Sequence, residues 1–182
     1  MSEMTKLWHT EHAHFARLLA LLERELATYH DGGEPNYDLM HDVVFYLKHY
    51  GDKFHHPRED VAFARLVARD PSLAGRVKRL LQEHRVIDAH GNELLDRLAQ
   101  VTGDTLAPRG RLESAAATYL VYYRHHLLTE ERDIMPRADA LLSESDWEAI
   151  AGAVPQESDP LFGDNPAERF KELRRQIARE AS

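Results

Sequence analysis

Apolar residues recur along this chain at steps of three and four, the spacing that lines one face of an α-helix. Between Thr5 and His30, the residues Trp8, His12, Phe15, Leu19, Leu22 and Leu26 fall on one stripe, which Leu18 widens. His12 thus stands inside an apolar face, whereas His9, His14 and His30 fall off it and are expected in water. Asp31-Gly32-Gly33-Glu34-Pro35-Asn36 interrupts the pattern with turn-forming residues. A second stripe begins near Tyr37 and runs through Met40, Val44, Leu47, Gly51, Phe54 and His55. It resumes after Pro57 at Glu59, Ala62, Phe63 and Leu66. Proline removes a backbone hydrogen bond and crowds the carbonyl four residues back, so a kink is expected at Pro57. On this register His55 faces inward, and His56 shares a mostly polar line with Asp52, His49 and Phe45.

A third helix is expected from Ser72 to about Val101, carrying Val77, Leu80, Leu81, His84, Ile87, Asp88, Gly91, Leu94, Leu95 and Leu98. His84 again lies on the apolar line, Asp88 stands one turn further on, and Gly91 leaves room beside it. A loop over residues 102–108 leads to a fourth helix, from Arg109 to Met135. Leu112, Ala115, Ala116, Tyr119, Tyr122, Tyr123, His126 and Glu130 are in register there. Two shorter helices follow. Ser143 is placed to cap one, with Asp146 three residues on. Asn165-Pro166-Ala167-Glu168 opens the other, which carries Phe170, Leu173 and Ile177. Strand signals are absent. The predicted fold is all-α, an antiparallel up-down four-helix bundle with two short extra C-terminal helices. Residues 1–142 would form the bundle and 143–182 a helical extension packed on it, in a single domain overall.

Composition narrows the function. A net charge of −8 and the absence of a Lys/Arg cluster interleaved with aromatics argue against a nucleic-acid partner. No apolar run approaches the roughly 18 residues of a membrane span, so no membrane is expected either. Met1 to Trp8 lacks the cationic start and apolar core of a signal peptide. With no cysteine, disulfides, thiolate zinc sites and cysteine nucleophiles are all excluded, and a cytoplasmic location is expected. Twelve histidines stand out in that setting. Imidazole and carboxylate are then the available metal ligands, which suit iron, manganese, zinc or copper.

The chemistry lies in the spacing. His55 and Glu59 are four apart and share a helix face, and His126 with Glu130 repeats the arrangement. His56 with Glu59 or Asp60, and His126 with Glu131, are competing pairs. One inward histidine is more often a hydrogen-bonded core residue than a ligand. Four of them, one on each of four consecutive helices, change that balance. Each buried polar group left without a partner costs about 1–3 kcal/mol, against a total stability of about 5–15 kcal/mol. A metal centre satisfies all of them together. Six or seven nitrogen and oxygen donors exceed a tetrahedral zinc site, and two glutamates from opposite helices can bridge a metal pair. A carboxylate-bridged centre of two iron ions is the economical assignment, with zinc or manganese as other ions the site could be loaded with.

The motifs Glu11-His12, Phe54-His55-His56-Pro57-Arg58-Glu59-Asp60, Glu83-His84, and His126 followed by Glu130-Glu131 resemble those of hemerythrin-like proteins, in the bacterial HHE cation-binding family. Asp159-Pro160-Leu161-Phe162-Gly163 resembles the tail of such members. The resemblance implies His12, His55, His84 and His126 as iron ligands, with Glu59 and Glu130 as bridges. Asp88, Glu131 and His56 are further candidates. Oxygen-carrying members have a second histidine four residues after the third-helix one, where this chain has Asp88. They also have an aspartate five after the last histidine, where this chain has Glu131 behind Glu130. A carboxylate-richer shell of that kind would favour oxidation over clean release of oxygen. Three functions follow as expectations. The first is a non-haem di-iron protein that binds or reacts with a small diatomic or peroxide (oxygen, nitric oxide or hydrogen peroxide). Tyr119, Tyr122 and Tyr123 are candidates to line its pocket or quench an oxidised iron species, although ordinary core packing is the commoner role for tyrosines on such a stripe. The second is an iron sensor, store or donor in a stress response. The third is a metal-stabilised binding module whose C-terminal helices form a homodimer or partner contact.

Overall fold

The computed structural model describes residues 2–102, 109–154 and 157–180, so most of the loop expected over 102–108 lies outside the described residues. Every regular element among those residues is helical. Helix α1 spans Glu3–His30. Ser2 opens it by accepting the Thr5 amide on its hydroxyl, and Glu3 sets an acid in the first turn, where unpaired amides carry partial positive charge. The chain turns after it at Gly32, whose φ of 83° an L side chain resists. Asn36 then caps α2 (Tyr37–Tyr46), its side-chain oxygen accepting the Leu39 amide.

Around Pro57, where a kink is expected, the backbone changes its hydrogen bonding. The backbone over Leu47–His55 is π-helical, and the His56 amide reaches back five residues to the Gly51 carbonyl. Helix α3 (His56–Arg69) then begins afresh with Pro57 in its first turn, where the missing amide hydrogen is not needed. The same sequence of events follows α5 (Arg109–Thr129). Glu130–Ile134 is π-helical, the Met135 amide bonds to the Glu130 carbonyl, and Pro136 falls in the first turn of α6 (Met135–Leu141). The fourth helix is therefore not the single rod that its periodicity suggests. Each π segment adjoins a His–Glu pair, ending at His55 in one case and starting at Glu130 in the other.

Between these runs, a 3₁₀ turn at Pro71–Leu73 delays the start of α4 (Ala74–Thr102) by two residues from the expected Ser72. Ser143 caps α7 (Glu144–Ala153) in a reciprocal box with Asp146. The last helix starts later than its Asn165-Pro166 signal. A 3₁₀ turn at Glu168–Phe170 precedes α8 (Lys171–Glu180).

Helix α4 packs on α5, α5 on α1, α1 on α2 and α2 on α4, which closes a ring. Two apolar clusters fill it. One includes Phe15, Tyr50, Ile87 and Tyr123; the other includes Trp8, Phe63, Leu80 and Ile134. Helix α1 runs from the second cluster to the first, and the chain through α2 and α3 returns. Helix α4 crosses again from Leu80 to Ile87, and α5 with its π extension returns from Tyr123 to Ile134. In each crossing the polar candidates fall between the two clusters. Further along, Trp147 meets Trp8 edge-on with ring centroids 5.7 Å apart, and Ile150 joins the second cluster. Leu161, Phe170, Leu173 and Ile177 join the first. No helix among the described residues is long and apolar enough to cross a membrane.

Candidate metal centre

Seven buried side chains meet in the gap between the apolar clusters: His12, His55, His56, Glu59, His84, His126 and Glu130. Two overlapping groups have donor atoms within 4.8 Å of one another. One is His12, His55, Glu59 and Glu130; the other is His56, Glu59, His84 and His126. Glu59 belongs to both. Its Oε1 lies 3.3 Å from His12 Nε2 and 3.1 Å from His55 Nε2, while its Oε2 lies 3.6 Å from His84 Nε2. Glu130 is placed likewise. Its Oε2 is 3.2 Å from His126 Nε2 and 3.6 Å from His12 Nε2, and its Oε1 is 3.7 Å from His84 Nε2.

Two expectations need correction. His56, read from its register as sharing a polar line, is buried with its ring stacked on His84 at 4.2 Å. The wider π turn that ends at His55 shifts the register, and consecutive histidines both turn inward. Asp88 does the opposite. Its side chain is 53% exposed and pairs with Lys48. Gly91 makes room for that lysine, whose Cδ would lie 2.8 Å from a Cβ added at Gly91. A third candidate, Glu131, stands just outside the cluster, where it accepts from His12 Nδ1 at 2.7 Å. It also lies 2.6 Å from His9 Nδ1, so His9 is engaged rather than simply solvated. His14 stacks on Phe162 at 3.7 Å. Of the expected pocket tyrosines, Tyr119 and Tyr123 are buried and Tyr122 is exposed.

Sequence reasoning named Glu11, Asp60, Glu83 and Glu131 as motif residues or rival ligands but missed that they support the histidines from outside. Glu11 on α1 accepts from His55 Nδ1 at 2.7 Å. Asp60 on α3 accepts from His84 Nδ1 at 2.8 Å. Glu83 on α4 accepts from His126 Nδ1 at 3.2 Å, and Glu131 accepts from His12. Each run of chain thus supplies an acid to the histidine of the next, and the series closes on itself. His56 has no such bond; its Nδ1 lies 3.1 Å from Asp52 Oδ1 in its own run, a charge contact without hydrogen-bond geometry. The signal was in the motifs Glu11-His12 and Glu83-His84. Adjacent residues on a helix diverge by about 100°, so an acid beside an inward histidine points at the neighbouring helix.

This ring fixes the tautomers. An ionised carboxylate only accepts, so the four bonded Nδ1 atoms carry a hydrogen, and each Nε2, once free of its own proton, offers a lone pair inward. His12 Nε2 and His55 Nε2 lie 2.9 Å apart, where two lone pairs repel unless a proton or a metal ion sits with them. His56 Nε2, His84 Nε2, His126 Nε2, Glu59 Oε2 and both Glu130 oxygens are buried with no hydrogen-bond partner. Such a donor set fits cations of the iron, zinc or manganese kind.

Electrostatics agrees. Burial opposes a charge on His12, but the bonds to Glu131 and Glu59 outweigh it and raise its pKa to about 10. His84 is raised to about 10 against burial by Asp60 and Glu130. His55 is raised against burial by Glu59 and Glu11. Burial and the charge of His84 lower His56 to about 4, and the same causes lower His126. Glu59 is held low despite burial by His55 and His12. Burial and the charge of Glu59 push Glu130 up to about 7. The cluster draws in positive charge, and without a metal that charge is carried by protons on the lone pairs a metal would use.

Fold and site together define a helical protein with a buried histidine–carboxylate cation site. Residues 3–138 match the family described as the hemerythrin HHE cation binding domain, and the chain belongs to that family. No curated protein matches it.

Proposed function

We propose that this is a non-haem di-iron protein that binds or reacts with a small diatomic or a peroxide. The observation that carries the reading is the position of Glu59, whose two oxygens face different histidine groups while Glu130 faces both from the other side. His12 and His55 would hold one ion and His56, His84 and His126 the other, with the two glutamates between them. Such a pair, when bound, supplies electrons and an open coordination position. The group with two imidazoles leaves more room for a ligand than the group with three. A pocket of about 460 Å³ reaches that side, lined by His9, His12, Ala13, Ala16, Leu127 and Glu131 among others. Its mostly apolar wall suits an uncharged molecule.

The alternating direction of the four helical runs between the two apolar clusters supports an antiparallel up-down bundle over residues 1–142, with 143–182 as an extension on it. With Asp88 outside the cluster and His56 inside it, five imidazoles face two carboxylates. The shell is then not the carboxylate-rich one expected, and the argument it gave against reversible oxygen binding lapses. Burial of all seven donors favours retention of iron over its donation, so a mild chelator should strip the protein slowly.

The test is spectroscopic. Protein loaded with ferrous iron without oxygen is expected to change its optical spectrum on adding oxygen, nitric oxide or hydrogen peroxide. A spectrum that none of the three alters contradicts this function.

A further inference from the structure

We propose that Tyr50 and Tyr46 form a relay that passes electrons, each coupled to a short proton transfer, from Tyr46, whose hydroxyl meets Asp159 of the C-terminal tail, through Tyr50 to the metal centre. The inference rests on the reading of the cluster as a redox-active metal pair. Tyr50 donates its Oη hydrogen to Glu11 Oε1 at 2.8 Å, and the other oxygen of Glu11 holds His55 Nδ1 at 2.7 Å. Tyr46, one turn earlier, lies nearly parallel to Tyr50, with ring centroids 5.5 Å apart and 14° between planes. Its hydroxyl donates to Asp159 Oδ2 at 2.9 Å. The other oxygen of Asp159 accepts the Leu161 and Phe162 amides at 2.8 and 2.9 Å, which fixes the carboxylate in place. The Asp159–Gly163 motif has no part in the metal cluster, and the relay gives it one.

Phenol loses an electron far more readily when its proton leaves at the same time, because the radical cation is a much stronger acid than any carboxylic acid. A buried tyrosine therefore relays charge only if its hydroxyl meets an acceptor. Tyr123 has its ring 5.9 Å from that of His56, yet its hydroxyl and that of Tyr119 are buried without a partner. Their protons have nowhere to go. Tyr50 and Tyr46 each have a carboxylate in line.

Hydrogen peroxide is the oxidant. Reducing it to two waters takes two electrons and two solvent protons; a bound metal pair would supply one electron, and Tyr50 supplies the other. The Tyr50 O–H bond breaks, its proton passes to Glu11 Oε1, and a neutral phenoxyl remains. Tyr46 then gives an electron to Tyr50 and its own proton to Asp159 Oδ2, while the proton on Glu11 returns to the Tyr50 oxygen. The net result is a phenoxyl at Tyr46 and a proton on Asp159, with the oxidising equivalent moved away from the histidines.

The full chain is loaded with iron, its iron counted, mixed with hydrogen peroxide and frozen rapidly for electron paramagnetic resonance. A tyrosyl signal is expected. Tyr46→Phe should leave it on Tyr50 with a changed hyperfine pattern, and Tyr50→Phe should abolish it. The Tyr119→Phe/Tyr123→Phe double variant should keep it. Peroxide consumed by iron-loaded protein with no tyrosyl signal overturns the relay, as does a signal unchanged in Tyr50→Phe. A second arm needs no redox metal. Zinc-loaded Tyr122→Phe protein, which lacks the exposed tyrosine, oxidised by flash-generated ruthenium(III) tris-bipyridine should form a phenoxyl that adding Tyr46→Phe and Tyr50→Phe removes. If that phenoxyl forms while the iron form leaves peroxide unconsumed, the di-iron reading fails and the tyrosine pair stands. A phenoxyl that persists with both of those replaced overturns the pair itself.

Discussion

A histidine that binds a metal through Nε2 depends on what holds its Nδ1, and in this protein Glu11 shows how much one such group carries. It accepts from His55, Tyr50 and Arg58. Burial would raise its pKa, but His55 and Arg58 prevail and lower it from 4.5 to about 2. The folded value lies below the unfolded one, so the stabilisation is complete above about pH 4.5 and is lost as pH falls through about 2. It amounts to about 3 kcal/mol. Glu11→Gln should lose stability of that order in urea unfolding and weaken metal binding by roughly 10–100-fold in chelator competition. Unchanged binding would mean that His55 needs no such anchor. The histidines set a second dependence on pH. His12, His55 and His84 have pKa values raised above 6.5, so a metal must displace their protons at neutral pH. Affinity should therefore keep rising well above pH 6.5, and calorimetry in buffers of different ionisation enthalpy should detect the protons released. Affinity that levels off at pH 6.5 contradicts those shifts. Four of the five inward histidines were legible from apolar periodicity. His56 was not, because one residue inserted in a π turn leaves no mark on a pattern of threes and fours. Asp88 was misread for a related reason. It shares a line with His84, but the buried Lys48 from the neighbouring run claims it. Asp88→Asn should accordingly leave the metal content unchanged.

At the scale of elements, the two π segments solve one problem twice. Each lets the chain carry a His–Glu pair past a proline without losing the helix, and the proline falls where its missing amide is harmless. The first segment also brings the backbone close to α5. A Cβ added at Gly51 would lie 2.8 Å from the Tyr123 hydroxyl, and that buried ring has little space to retreat. Gly51→Ala should destabilise the protein by about 1–3 kcal/mol in thermal or urea melts, and a neutral result would show that the segment can shift. Helix identity and the two His–Glu spacings could be read from sequence. The π turns could not, since proline in a helical stripe reads as a kink by default. The ring of acids was half visible, in Glu11-His12 and Glu83-His84, but its pairing depends on which helices are neighbours, and spacing alone does not say.

For the whole molecule, the polar cluster divides the core in two. A chain with no metal there must hold five imidazoles and two carboxylates between two apolar clusters, balanced by protons and by the surrounding ring of acids. Metal binds the folded form and has no assembled site in the unfolded one, so it should stabilise by about 2.7 kcal/mol at a hundred times its dissociation constant. The C-terminal residues belong to this picture, since Leu161 and Phe170 complete one cluster while Trp147 packs against the other. The central claim is that Glu59 and Glu130 stand between two ions. Elemental analysis of protein reconstituted with ferrous iron tests it most directly, on the wild type and on Glu59→Gln. Two irons per chain are expected, with a clear loss in the variant because that side chain faces both groups. One iron or none in the wild type, or a count that Glu59→Gln leaves untouched, would contradict it.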